Sequence, residues 1–125
     1  MNLFTRFLKQ WLHDSDLEQL VEHCDALEAL VIRVYKREEA TAADEAEYQA
    51  LRRWMEANYP QWQSRLRPHW REAKVAGEAA TADPFLQLTA ATSAGEFVGN
   101  WKAMQHLPAA REALNKLVLQ LGEET

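Results

Sequence analysis

Apolar side chains recur at intervals of three and four along nearly the whole chain, and that spacing commits it to helices. Residues 2–13 place Leu3, Phe4, Phe7, Leu8, Trp11 and Leu12 on one stripe, with Arg6, Lys9 and Gln10 opposite. A second helix is expected to run to about Glu38, with a seam of Leu17, Leu20, Cys24, Leu27, Val31 and Val34. Val21, Leu30 and Tyr35 widen that seam, and Ile32 lies off it. Strict apolar–polar alternation is absent, as are Asn-Gly and Asp-Gly turns, so essentially no strand is expected. The fold class predicted is all-α: a compact bundle of five or more helices with short loops, one domain over residues 1–125.

Start and stop signals divide this helical chain. Ser15-Asp16-Leu17-Glu18 and Ser93-Ala94-Gly95-Glu96 both read as capping boxes. Thr41 and Asp44 are alternative caps for a helix near 44–58, with Tyr48, Leu51, Trp54, Met55 and, at its end, Tyr59 on its apolar side. Pro60 interrupts it. A short helix near 60–67 and another from Pro68 are expected next, with one kinked helix as the alternative. Residues 76–82 read as a fraying end or loop. Asp83-Pro84 opens a short helix with Phe85, Leu86 and Leu88, and the helix after Ser93 carries Phe97, Val98, Trp101 and Met104. Pro108 starts the last one, with a stripe of Ala110, Leu114, Leu117, Val118 and Leu121, and Gly122 stops it.

Composition narrows the partners. The net charge is −5, which argues against nucleic acid, since phosphate binding wants excess Lys and Arg. The longest uncharged stretch, Pro84 to Gly95, is too short to span a bilayer. The first twelve residues lack the apolar core of a cleavable signal. The single cysteine, Cys24, forms no intrachain disulfide, and a soluble cytoplasmic protein is the expectation.

Catalytic signatures are missing: no phosphate-binding glycine loop, no H-E-x-x-H, no C-x-x-C and no G-x-S-x-G. Glu18, Glu22 and His23, or His69 and Glu72, are the nearest approach to metal-ligand spacing. They do not repeat the Glu-x-x-His pair of helical di-iron sites, so no metal or cofactor is expected. Cys24 lies on a buried seam, and His23 points about 100° away from it on a helix, which disfavours a catalytic pair.

The candidate ligand or partner surface is Trp54, Trp62, Arg65, Trp70 and Arg71. Trp62, Leu66 and Trp70 recur every four residues, and Arg52, Arg53, Arg65, Arg67, Arg71 and Lys74 lie among the rings. Core tryptophans with cations at the rim are the favoured reading of that pattern, over a binding surface. The acidic run at 14–28 complements this basic segment, within the fold or across chains.

Function is therefore expected to be non-enzymatic, by contact with a protein partner or by self-association, on the strength of apolar surface beyond one core's needs. A small-molecule ligand in a pocket walled by Trp54, Trp62, Trp70 and Trp101, with an Arg for an anionic group, is the alternative. The stripe at 2–13 must dock on the bundle, a second copy or a membrane, and the acidic run disfavours the last.

Overall fold

The structure is a computed structural model and describes residues 16–75 and 77–123. The stripe at 2–13 and the Ser15 cap lie outside those residues. In chain order the elements are α1 (Asp16–Arg37), α2 (Ala42–Asn58), α3 (Pro60–Glu72), β1 (Lys74–Val75), β2 (Glu78–Ala79), α4 (Pro84–Leu88), α5 (Ala94–Gly99), α6 (Trp101–Met104) and α7 (His106–Glu123). The protein is all-α apart from one minimal β ribbon, as the periodicity requires.

Helix α1 is the longest, and Leu17, Leu20, Cys24, Leu27 and Val34 are buried along it. Between Leu27 and Val34 the buried residue is Leu30, whereas Val31 is only half-buried. Val31 lies 100° further round and lines an open groove, so less of its surface is covered. Tyr35, expected to widen the seam, is instead 71% exposed. Past the helix end, Glu38 takes a left-handed conformation (φ +59°) and donates its N–H to the Tyr35 carbonyl.

Thr41 caps α2. Its hydroxyl accepts from Asp44 N (3.2 Å), and Asp44 Oδ2 accepts from Thr41 N (3.0 Å). Both expected caps thus form one reciprocal box. Tyr59 closes α2 and opens α3, where Pro60 takes the first-turn position that lacks an N–H requirement. The break expected at Pro68 does not occur, and α3 continues through it. A proline inside a helix costs about 3 kcal/mol. Leu66 and Trp70, buried on either side of it, anchor both halves, while Pro68 itself faces outward. That burial carries the helix across.

After α3, where a loop or fraying end is expected, β1 and β2 pair antiparallel, Lys74 with Ala79 and Val75 with Glu78. Gly77 (φ +86°) supplies the turn conformation that side-chain-bearing residues resist. Asp83 caps α4 through Phe85 N (3.0 Å). Ser93 caps α5 through Glu96 N (3.0 Å), but the expected box is half made. The Glu96 carboxylate turns instead to the N–H and hydroxyl of Thr92. The helix expected after Ser93 is split at Asn100, whose Oδ1 accepts from Lys102 N and Ala103 N and so restarts it as α6. Helix α7 begins at His106, two residues before Pro108, and runs one residue beyond Gly122.

The core lies where α3 and α4 pack on α7 and where α2 packs on α1. Tyr48, Tyr59, Phe85 and Phe97 are its largest fully buried side chains. Tyr48 stacks on Phe97 (5.5 Å) and donates its hydroxyl to the Leu88 carbonyl (2.9 Å). Tyr59 stacks on Phe85 (5.0 Å) and donates to Asp83 Oδ2 (2.7 Å).

Two stability outcomes follow from this packing. Leu27→Ala is expected to cost about 2–5 kcal/mol in chemical denaturation, the range for truncating a buried leucine; a negligible loss would contradict its place in the core. Glu38→Gly is expected to raise stability by about 0.5 kcal/mol, because glycine relieves the left-handed strain and returns part of the gain as chain entropy. A lowered denaturation midpoint would show that the left-handed turn is not retained in solution.

Candidate functional site

The tryptophans singled out by sequence do not assemble into one wall. Trp54, on α2, is half-buried against α1: its Nε1 donates to Gln19 Oε1 (3.3 Å), and the His23 ring stacks on it at 4.0 Å. His23 Nδ1 donates in turn to the Gln19 carbonyl (2.7 Å). Trp62 and Arg65 are brought together on α3, with the guanidinium 5.3 Å from the ring centre, a cation–π contact. Trp70 is in the core, and Arg71 points to solvent from the neighbouring position. Trp101, on α6, is 62% exposed. The indole N–H groups of Trp62 and Trp70 are buried without hydrogen-bond partners.

Several ionisable groups are occupied by structural contacts. Arg111 of α7 bridges Asp25 and Glu28 of α1. Lys116 meets Glu72 and Glu112, both at 3.4 Å. Part of the acidic run thus finds its cation on α7 rather than on the basic segment at 52–74. Within that segment, Arg52 donates to the Thr89 carbonyl (3.1 Å) and to Gln49 Oε1 (2.9 Å), fastening α2 to the end of α4. His69 bonds Gln120 Oε1 (2.9 Å). Among the described residues, no group of three or more His, Cys, Asp or Glu converges to hold a metal.

Burial pushes the Cys24 thiol up to about 12, so at neutral pH it is a protonated, non-nucleophilic side chain. Burial also raises the Tyr48 phenol to about 12. The Tyr59 phenol rises for the same reason, reinforced by its hydrogen bond to Asp83. Asp83 further accepts from Gln63 Nε2 (3.3 Å) while capping α4. These groups are spent on the fold, and none is poised for proton transfer at neutral pH.

Among the described residues a groove of about 710 Å³ lies open between α1 and α7, with Met104 of α6 also lining it. Val31, Ile32, Leu107, Pro108 and Leu119 make its apolar lining, and Glu28, Arg111, Glu112, Asn115 and Lys116 its polar rim. Ile32 (48%) and Leu119 (57%) are exposed, although both are large and apolar. The same signal marks both in the sequence: each is a branched apolar residue displaced from the buried stripe of its own helix. Ile32 was separable on that ground; Leu119 was hidden beside Leu117 and Val118, which look alike until the helix is placed. A smaller cleft of about 260 Å³ lies beside Pro60, Phe85 and Leu86, and another of about 350 Å³ beside Tyr35 and Val98.

No protein-family model matches the chain, and no curated protein or solved structure shows significant similarity to it. None of the described helices is long and apolar enough to cross a membrane.

One charged group gives a pH-dependent outcome. Asp44 is almost wholly covered, and its carboxyl lies below the usual carboxylate range. The Thr41 backbone N–H is the main cause, helped by the Thr41 hydroxyl contact and by Arg37 (2.8 Å) and Arg33 (3.6 Å). A folded-state value below the unfolded one means stability that is complete above about pH 4–5 and lost as pH falls through the folded value. Asp44→Asn is therefore expected to destabilise the protein at neutral pH, with the difference from the parent shrinking as the pH falls through the folded value in urea melts. A difference unchanged across that range would contradict the ionic role.

Proposed function

We propose that this chain is a non-enzymatic helical bundle that works by protein–protein contact, with the α1/α7 groove as its contact surface. The observation that carries this reading is the placement of half-exposed Ile32 and Leu119 in one groove with Val31, Pro108 and Met104. Apolar side chains scattered singly over a surface need no explanation, whereas a contiguous set with a charged rim has the anatomy of an interface. The buried thiol and phenols, and carboxylates spent on caps and ion pairs, give the reading its non-enzymatic part.

A small-molecule site is the second reading, and it rests on the Trp62–Arg65 contact, where a ring and a cation already meet. The groove suits a macromolecule better. Small-ligand pockets bury most of their ligand, and walls as exposed as Ile32 and Leu119 do not enclose one. The reading also places the protein in the cytoplasm, a compartment compatible with one unpaired, buried cysteine.

Photo-crosslinking in cells tests the surface. A benzophenone side chain at Ile32 or Leu119 is expected to give a discrete protein adduct, while the same group at Leu86 is expected to give none. Leu86 is as exposed as Ile32 but lies on the smaller cleft beside α4. Equal labelling from all three positions, or none from any, would overturn the assignment. For the second reading, thermal melting with a panel of aromatic and anionic metabolites is the measurement, and a stabilised midpoint abolished by Arg65→Ala is its expected sign.

A further inference from the structure

Helix α3 turns a basic side to solvent in a chain that is acidic overall. Leu66 and Trp70 are buried, while Arg65, Arg67 and Arg71 are exposed on the opposite side. At 100° per residue these three fan over an arc of about 160°, with Ser64 and Pro68 between them, both also exposed. Lys74, exposed at the start of β1, extends the basic run. Among the described residues none of these four cations is in an ion pair. Glu72 is the one acid of α3, and Lys116 of α7 meets it at 3.4 Å. With Glu78, Glu112 and Lys116 counted in, bases still outnumber acids around the helix. Asp83 is buried, spent on Tyr59, Gln63 and the α4 cap.

We infer that the outer face of α3 docks an acidic segment of a partner protein, whose carboxylates pair with Arg65, Arg67 and Arg71. Guanidinium groups take carboxylates in paired hydrogen bonds, so exposed arginines without an acid are the counterpart of such a segment. Within the described fold the acidic run on α1 does not serve them, because its Asp25 and Glu28 reach Arg111 on α7. Arg67 and Arg71 lie one turn apart, about 6 Å along the axis, and alternate residues of an extended chain are about 7 Å apart, so two carboxylates of one strand reach both. Arg65 is already partly ordered, with its guanidinium 5.3 Å from the Trp62 ring centre.

Nucleic acid suits this face less well. Single strands bind by stacking bases on open rings, and on α3 Trp70 is in the core while Trp62 is half-buried under Arg65. A long polyanion also runs on over a chain whose net charge is −5, which repels it, whereas a short acidic segment ends within the basic face. None of Arg65, Arg67 and Arg71 lines the α1/α7 groove, so this surface is separate from the one proposed above and does not depend on it.

Fluorescence anisotropy of a labelled oligoglutamate against the purified full chain tests the assignment. Saturable binding below about 1 mM is expected at about 20 mM salt, weakening as salt rises. Arg67→Glu with Arg71→Glu is expected to weaken it at least about tenfold. Lys36→Glu with Lys102→Glu changes the net charge equally from exposed positions on α1 and α6, and is expected to change binding less than about threefold. If the glutamates at 67 and 71 lower the helical circular-dichroism signal, Arg67→Gln with Arg71→Gln replaces them and is expected to weaken binding at least about threefold. No binding by the parent chain would overturn the inference, as would equal losses from the two charge-matched pairs. Tighter binding of a single-stranded DNA of the same length would make the face a nucleic-acid surface and overturn it too. So would self-association of the parent that Arg67→Glu with Arg71→Glu abolishes, since a second copy would then be the occupant. Crosslinking from Ile32 and Leu119 reports on the groove alone, so the two surfaces fail separately.

Discussion

The structure depends on one helix that is narrow where its neighbours need room. The buried face of α7 carries Ala109, Ala110 and Ala113 in its first half and Leu114, Leu117 and Val118 in its second. The alanines let other elements approach the α7 axis closely, and the larger residues fill the space where the elements diverge. Helices α3 and α4 both pack on this face, although α4 is only five residues long. A helix that short has no stability of its own. It persists because Asp83 caps it, because Phe85 and Leu88 are buried, and because Tyr48 holds its last carbonyl. Removing α7 would leave α3 and α4 without a floor.

Aspartates fix how the remaining pieces meet that floor. Asp83 joins the start of α4 to Tyr59 at the α2–α3 junction and to Gln63 on α3. Asp44 joins the α2 cap to the last turns of α1 through Arg37 and Arg33. Each carboxylate is nearly buried, and each recovers its lost hydration through several donors. Glu45 does the same work at the surface, accepting from the N–H groups of Ala94 and Gly95 at the start of α5. The junctions are therefore polar and directional, while the helix faces between them are apolar and tolerant.

How much of this is legible in sequence differs by the range of the interaction. Caps are local, so Thr41, Asp83 and Ser93 could be read from their own neighbourhoods, each within one residue of the observed helix start. Pro68 could not, because its effect on α3 is decided by Leu66 and Trp70 meeting α7, some forty residues further on. The exchange of Leu30 for Val31 has the same origin: both suit the α1 seam, and only the absence of a close neighbour on one flank exposes Val31. Asn100 offered a capping side chain inside an apolar pattern, and periodicity alone passed over it. For the site, the cluster of Trp and Arg residues in 54–71 was visible as composition. Whether rings face inward depends on the turn between α2 and α3, so Trp70 could enter the core while Trp62 met Arg65.

The groove itself arises from the way α1 and α7 are joined. Along its wall Arg111 of α7 reaches Asp25 and Glu28 of α1. Those side chains are partly exposed, and such pairs contribute little to net stability. They span the two helices beside the groove. Beside those pairs, Val31, Ile32, Leu107 and Leu119 are left without a facing layer among the described residues. A bundle selected only for its own stability would close such a gap with larger side chains or a tighter crossing, since each exposed methylene forfeits about 0.8 kcal/mol of burial. Among the described residues that burial is left unrealised along the groove. That physical cost is what the proposed contact reading of the groove accounts for.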